Sequence, residues 1–92
     1  MSAESISVLL VEDDDLYAHV LRAALAKSTP KVDVERRRTL ADAITQLQAT
    51  RFDAVLLDLN LPDSAGLDTI GRMLAAAPGI PVSYTHLTLP TN

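Results

Sequence analysis

The sequence predicts an α/β fold built on a doubly wound, parallel β-sheet. Short apolar runs rich in β-branched residues alternate with segments of helical periodicity, and two of these runs end abruptly in acid. Strands buried on both faces have this character, because helices cover both sides of a parallel sheet. The resulting order, β-α-β-α-β-α-β, favours one sheet with crossover helices. With 92 residues, the chain forms one small domain at most.

The first predicted unit joins a buried strand to a helix. The strand covers residues 6–11, where the apolar run stops at an acidic segment. Either Asp14 or Asp15 caps the following helix, which we place at about residues 16–27. The apolar stripe of this helix consists of Leu16, Val20, Ala23 and Ala24.

The second unit combines an edge strand with a helix. Apolar and polar residues alternate over residues 32–35, as expected of a strand with one solvated face. Residues 39–42 are typical of a helix start, and this helix ends at about Ala49. Its apolar stripe consists of Leu40, Ala43, Ile44 and Leu47.

The remaining elements follow the same alternation. They are a buried strand at residues 52–57, a loop at residues 61–66 and a helix at residues 67–76. Met73 is expected to lie in the core. Residues 80–82 start a fourth strand, and the polar residues 83–92 do not continue its apolar pattern.

The composition excludes several classes of function. The net charge is −4 and only 3% of residues are aromatic, so this segment lacks the basic face and the stacking surface that bind nucleic acids. The basic run at residues 36–38 is interpreted as a solvated strand end, with a partner contact as the alternative. His19 is expected to face solvent. We expect a cytoplasmic protein, because the sequence has no cysteine, no secretory signal and no apolar segment of membrane-spanning length.

Carboxylates follow the two strands that look most buried. Glu12 and Asp13 follow the first strand, and Asp58 follows the third. Ligands of open parallel sheets bind beyond the carboxyl ends of the strands, and the order 2-1-3 makes these two strands neighbours. Carboxylates held together repel one another, and a hard divalent cation such as Mg²⁺ relieves the repulsion. A carboxylate beside such an ion can attack phosphorus and form an aspartyl phosphate.

Two motifs of the chain resemble those of bacterial response-regulator receiver domains. Residues 8–14 (VLLVEDD) resemble the first-strand signature, and residues 53–67 (DAVLLDLNLPDSAGL) resemble the phosphorylation-site segment. The motifs occur in the right order and at a fitting spacing, and the resemblance covers about residues 6–82. It implies a flavodoxin-like sheet in the order 2-1-3-4. It also implies a phosphoacceptor of two-component signalling, not an enzyme that acts on a separate substrate.

The resemblance also assigns roles to individual residues. Asp58 is the implied phosphoacceptor, and Asp13 is the implied main carboxylate ligand of Mg²⁺, with Glu12 acting beside it through water. Asn60 matches the position whose backbone carbonyl binds the metal. The residues that shape the adjoining loop are Pro62 and Gly66. The implied partners are a sensor histidine kinase or a phosphotransfer protein, and an output domain that the sequence does not identify.

The C-terminal part departs from the family pattern. Receivers have five strands, with a Thr or Ser after the fourth and a Lys after the fifth, whereas here His86 falls near the first position and no lysine follows Lys31. Thr85 is one residue away, a slip that turns a strand side chain to the opposite face. Residues 83–92 resemble translated adapter or vector sequence. We therefore expect a partial receiver domain at residues 6–82, without the fifth strand and the last helices, followed by a non-native tail.

Three functions stay open on the sequence. The first is the phosphoacceptor switch, in a fragment that is either competent or incompetent. The second is an interaction module that is never phosphorylated, which the missing Thr/Ser and Lys favour and the intact Asp13, Asp58 and Asn60 oppose. The third is a phosphohydrolase of the haloacid-dehalogenase type, which would need an aspartate in place of Asn60 and a downstream lysine.

We expect the chain as given to be poorly stable or to aggregate. A sheet that stops after its fourth strand leaves unpaired backbone groups and an apolar face exposed. Thermal unfolding recorded together with light scattering, on a fraction sized by gel filtration, measures this. A sharp, cooperative transition of a monomer would contradict the expectation.

Overall fold

The computed structural model describes residues 5–27 and 31–85, and this part of the chain contains six strands and three helices. The strands are β1 (Ser5–Val11), β2 (Lys31–Arg37), β3 (Ala54–Asp58), β4 (Asn60–Leu61), β5 (Ser64–Ala65) and β6 (Val82–Thr85). The helices are α1 (Asp15–Leu25), α2 (Leu40–Ala49) and α3 (Gly66–Ala76). Each predicted element is present, with bounds that differ by up to three residues.

Four of the strands form a parallel sheet in the order β2-β1-β3-β6, which confirms the predicted order 2-1-3-4. Val11, the last residue of β1, pairs with Arg37 of β2 on one side and with Leu57 of β3 on the other. Along β2, exposed and half-buried residues alternate, as predicted for a strand with one solvated face. This register brings the carboxyl ends of β1 and β3 next to each other.

The apolar core joins the sheet to α2 and α3. Its fully buried members are Leu9, Val11, Leu40, Ala43, Val55, Leu57 and Met73. The predicted stripe of α2 is confirmed, because Ile44 and Leu47 pack against the same cluster. Burial of each Leu or Met side chain contributes about 1.5–3 kcal/mol, so this cluster supplies much of the driving force for folding.

Helix α1 buries a different face from the one predicted. The predicted stripe is largely solvated: Leu16 is 72% exposed, Val20 is 51% exposed, and Ala23 and Ala24 are exposed as well. A second set of apolar residues at helical spacing is buried or half-buried instead, namely Ala18, Leu21 and Leu25. The helix has apolar residues on both sides, so periodicity alone selected the wrong face.

The predicted loop at residues 61–66 contains a small antiparallel hairpin of β4 and β5. Asp63, in the turn of this hairpin, accepts hydrogen bonds from the backbone N–H groups of Leu40 and Ala41, both at 2.9 Å. Thr39 accepts a further bond from the N–H of Asp42 at 3.1 Å. Two side chains therefore share the capping of α2, and one of them comes from the loop that follows β3.

These hydrogen bonds change the acidity of Asp63. Partial burial of its carboxyl raises the pKa, but the N–H donors of Leu40 and Ala41 outweigh that effect. The pKa therefore lies below its ordinary value of 3.8.

Strand β6 begins two residues later than predicted and continues to Thr85. The expectation that the strand ends at Val82 is therefore wrong for residues 83–85. Backbone pairing with β3 extends the strand, since Leu56 pairs with Ser83 and Asp58 pairs with Thr85. The position of His86 and the rest of the tail lie outside the described residues, and the origin of that tail stays a prediction.

Replacement of one core leucine tests the importance of the shared cluster. We expect Leu57→Ala to lower the free energy of unfolding by about 2–5 kcal/mol, which is enough to unfold a domain of this size. Leu67→Ala is the matched control, because Leu67 is 84% exposed. Far-UV circular dichroism against urea measures both variants, and equal losses would contradict the assignment of the core.

The cap formed by Asp63 predicts a pH-dependent contribution to stability. We expect Asp63→Ala to lower the free energy of unfolding by about 1 kcal/mol at pH 7. Because the pKa of the folded state is lowered, this contribution is fully present above pH 3.8 and is lost as the pH falls through the folded pKa.

Urea denaturation of the wild type and of Asp63→Ala, repeated from pH 7 down to pH 3, measures this dependence. Asp63→Asn is the control, since its amide oxygen still accepts a hydrogen bond but does not titrate. A wild-type advantage over Asp63→Ala that stays constant across this pH range would argue against the assigned role.

Candidate functional site

Three carboxylates meet at the carboxyl end of the sheet. Oxygen atoms of Glu12, Asp13 and Asp58 lie within 4.8 Å of one another. Together with Asp14 and Asn60, these residues line a cavity of about 210 Å³. The structure thus brings together all four residues that the sequence singled out as metal ligands.

Asp58 is the last residue of β3, and it is only 2% exposed. Its Oδ1 accepts a hydrogen bond of 2.9 Å from the backbone N–H of Asn60. This bond orients the carboxylate from within its own loop. The predicted role of the Asn60 carbonyl as a ligand stays a prediction.

Glu12 continues the path of β1 and is fully buried. Its backbone N–H donates to the carbonyl of Arg37 at 2.9 Å, which extends the pairing of β1 with β2 by one step. Its Oε2 accepts a hydrogen bond of 3.2 Å from the N–H of Asp14. Asp14 in turn accepts from the N–H of Tyr17 and caps α1, which confirms one of the two predicted caps.

The loop between Asp58 and α3 is held by its backbone. The N–H of Gly66 donates to the carbonyl of Leu59 at 2.7 Å, and Gly66 has a φ of +64°. This conformation favours glycine, because a Cβ atom is strained there. Pro62 lies in the turn between β4 and β5. Both residues therefore occupy the loop that the sequence analysis assigned to them.

The basic run at the end of β2 is not simply solvated, as the sequence analysis expected. The side chain of Arg36 is 18% exposed, and its Nε donates to the carbonyl of Glu12 at 2.9 Å. Arg38 donates from Nη2 to the carbonyl of Asp13 at 3.1 Å. The interpretation as a solvated strand end is therefore wrong for these two arginines, because β2 lies beside the acidic end of β1.

Asp15 accepts from both arginines. The Nη1 of Arg36 lies 2.9 Å from Asp15 Oδ1, and the Nη1 of Arg38 contacts the same oxygen. The hydrogen bonds from Arg38 and then from Arg36 hold the pKa of the Asp15 carboxyl below its ordinary range. Asp15 therefore keeps its negative charge beside the two guanidinium groups.

Sequence reasoning missed the contributions of Arg36, Arg38 and Asp63. The predicted order 2-1-3 contained a signal for the arginines, since it places the end of the second strand beside the end of the first. For Asp63 the sequence offers only turn chemistry, because its hydrogen-bond donors are 22 and 23 positions away. His19 is exposed and Met73 is buried, as predicted.

Among the residues that the structure describes, no helix has both the length and the apolar character needed to cross a membrane.

Comparison with known families gives a direct assignment. Residues 8–86 match the family described as "Response regulator receiver domain". The chain belongs to this family. Receiver domains act in two-component signalling, and the known relatives include both sensor kinases and response regulators.

Two curated relatives illustrate this range. The chain is 41% identical over 68 residues to the aerobic respiration control sensor protein ArcB of Escherichia coli (strain K12), covering 74% of this chain and 8% of that protein. It is 32% identical over 79 residues to the probable transcriptional regulatory protein TcrX of Mycobacterium tuberculosis, covering 86% of this chain and 33% of that protein. The chain therefore spans a third or less of the length of these two relatives.

Solved structures agree with the flavodoxin-like fold of the receiver. The phosphorylated cyanobacterial phytochrome response regulator RcpA superposes with a TM-score of 0.76 at 30% identity. The superposition covers 92% of this chain and 69% of that chain.

Proposed function

We propose that this receiver domain is the phosphoacceptor of a two-component phosphorelay, which takes a phosphoryl group on Asp58 from a histidine kinase or a phosphotransfer protein. The observation that carries the proposal is the gathering of three carboxylates, from the ends of two neighbouring strands, around one cavity. The relatives support it, since they include sensor kinases and a transcriptional regulator, and the RcpA structure is that of a phosphorylated protein.

The donor atoms at this site fit Mg²⁺. Carboxylate oxygens are the hard ligands that this ion prefers, and a cavity of about 210 Å³ leaves room for the water molecules that it retains. Asp13 and Asp58 would bind it directly, Glu12 through water, and Asn60 through its backbone carbonyl. When bound, the ion neutralises charge on the carboxylates and on the phosphoryl group.

The groups of the chain itself hold the acceptor ready for the transfer. The N–H of Asn60 fixes Oδ1 of Asp58, and thereby limits the rotation of the carboxylate. A carboxylate oxygen of Asp58 attacks phosphorus, so that a P–O bond forms while the P–N bond to the donor histidine breaks. The imidazole of the donor leaves with the electron pair. The aspartyl phosphate then biases the receiver toward a form that regulates an output domain.

An interaction module that is never phosphorylated is the second candidate. One observation favours it: no lysine follows Lys31, whereas receivers use a lysine to bind the phosphoryl group. Under the first proposal, the chain acts in the cytoplasm and catalyses at most its own phosphorylation and dephosphorylation. Its net charge of −4 gives this segment no basic surface for nucleic acid.

Intact mass spectrometry after incubation with Mg²⁺ and acetyl phosphate tests the assignment of Asp58. We expect the wild type to gain one phosphoryl group, because the small donor supplies phosphorus and the three carboxylates supply the metal site. Asp58→Asn should gain none, and neither should the wild type without Mg²⁺.

Asp53→Asn is the matched control for this experiment. Asp53 directly precedes β3, at the opposite end from Asp58, and accepts a hydrogen bond of 2.8 Å from the N–H of Ser7. This variant should be phosphorylated like the wild type. Mg²⁺ binding without any gain in mass would replace the first proposal by the second candidate, and a gain that survives in Asp58→Asn would locate the acceptor elsewhere.

A further inference from the structure

The two arginines at the end of β2 converge on the segment that carries two of the three carboxylates. We call residues 12–15 the acidic segment. The Nε of Arg36 donates to the carbonyl of Glu12 at 2.9 Å, and the Nη2 of Arg38 donates to the carbonyl of Asp13 at 3.1 Å. Both guanidinium groups also contact the carboxylate of Asp15. Two cations from one strand therefore hold three consecutive pairs of the neighbouring chain: two carbonyls and one carboxylate.

This arrangement differs from an ordinary ion pair at the surface. The pair between Lys31 and Asp33, at the other end of β2, joins groups 3.9 Å apart whose side chains are 77% and 57% exposed. Arg36 is instead only 18% exposed. Its Nη2 is buried without a hydrogen-bond partner among the described residues. Burial of a guanidinium group with an unused donor is unfavourable, so the position of Arg36 requires a compensating role.

The hydrogen bonds of Arg36 restrain the direction in which the Glu12 carboxylate leaves the backbone. The N–H of Glu12 is bound to the carbonyl of Arg37, and its C=O is bound to Arg36. Both backbone groups of Glu12 are thus fixed by β2. The carbonyl of the next residue, Asp13, is fixed by Arg38. With both carbonyls held, the two peptide planes cannot rotate, and the side chains between them keep their direction toward Asp58.

We propose that Arg36 and Arg38 are positioning residues of the metal site, which hold the backbone of Glu12 and Asp13 so that their carboxylates stay gathered around Asp58. Asp15 is the counter-ion that keeps both guanidinium groups in place. This proposal rests on the proposed function, because it assumes that the gathered carboxylates bind Mg²⁺. It adds residues outside the ligand set, on a strand that contributes no ligand.

The charge of the arginines has the opposite effect on the same equilibrium. A cation close to the cluster repels Mg²⁺, so loss of that charge alone would strengthen binding. Loss of positioning would weaken binding, because the ligands must then be ordered by the ion itself. The sign of the change in Mg²⁺ affinity therefore separates the two effects.

Isothermal titration of the full chain with Mg²⁺ alone tests the proposal, using Arg36→Gln and Arg36→Lys. Lysine retains the charge but lacks the planar fork that bridges the Glu12 carbonyl and Asp15. We expect both variants to bind Mg²⁺ about 10-fold more weakly or worse, as is typical when a residue that orients metal ligands is lost. Arg38→Gln, at a more exposed position, should weaken binding in the same direction.

Arg37→Gln is the matched control. It removes the same charge from the adjacent position, but Arg37 contacts Glu35 and Gln46 through its side chain and makes no printed side-chain contact with the acidic segment. It should bind Mg²⁺ within about twofold of the wild type, which is a change of about 0.4 kcal/mol. Melting temperatures of all variants without Mg²⁺ are recorded in parallel, so that affinity and stability are measured separately.

The outcomes distinguish three cases. Tighter binding by Arg36→Gln, with wild-type binding by Arg36→Lys, would show that charge repulsion dominates and would overturn the proposal. Lower melting temperatures with unchanged Mg²⁺ affinity would give the arginines a structural role only, and would overturn it as well. If Arg36→Gln does not fold, Arg38→Gln and Asp15→Asn decide by the same criterion. A wild type that binds no Mg²⁺ would instead remove the proposed function itself.

Discussion

The parallel pairing of β1 with β3 is the constraint on which the site depends. Val11 pairs with Leu57, so the residues that follow them, Glu12 and Asp58, leave the sheet side by side. A shift of one residue would turn one of the carboxylates toward the other face of the sheet. Apolar side chains hold the register, because Val11 and Leu57 lie in the same buried cluster. The carboxylates that this register gathers repel one another, and the apolar core offsets that repulsion.

The sheet and the carboxylate cluster could be predicted because their signals are local. Each central strand is a short apolar run that ends at its own acid, so the strand and its functional residue are read together. The order 2-1-3 then follows from the general topology of doubly wound sheets, and it brings Asp13 close to Asp58 without any knowledge of side-chain contacts. The stripe of α2 was equally clear, since this helix has apolar residues on one side only.

The features that the sequence did not predict depend on tertiary contacts or on competing patterns. Helix α1 has two apolar stripes, and only packing against the sheet determines that Ala18 is buried while Leu16 is not. Strand β6 continues through polar residues because backbone pairing with β3, rather than side-chain burial, extends it. The arginines resemble any basic run at a strand end until β2 is placed beside the acidic end of β1. Composition has no access to that distance.

The hydrogen bonds between Asp63 and the start of α2 join residues that are up to 23 positions apart. In polymer terms they close a ring that contains α2 and β3, and closure of such a ring is entropically unfavourable until helix and sheet have packed. The turn that follows Asp58 therefore becomes ordered late in folding, and it opens whenever the start of α2 detaches. The geometry around the acceptor is consequently a property of the cooperative domain. A peptide limited to β3, the hairpin and α3 would contain the same acceptor residue without the environment that orients it.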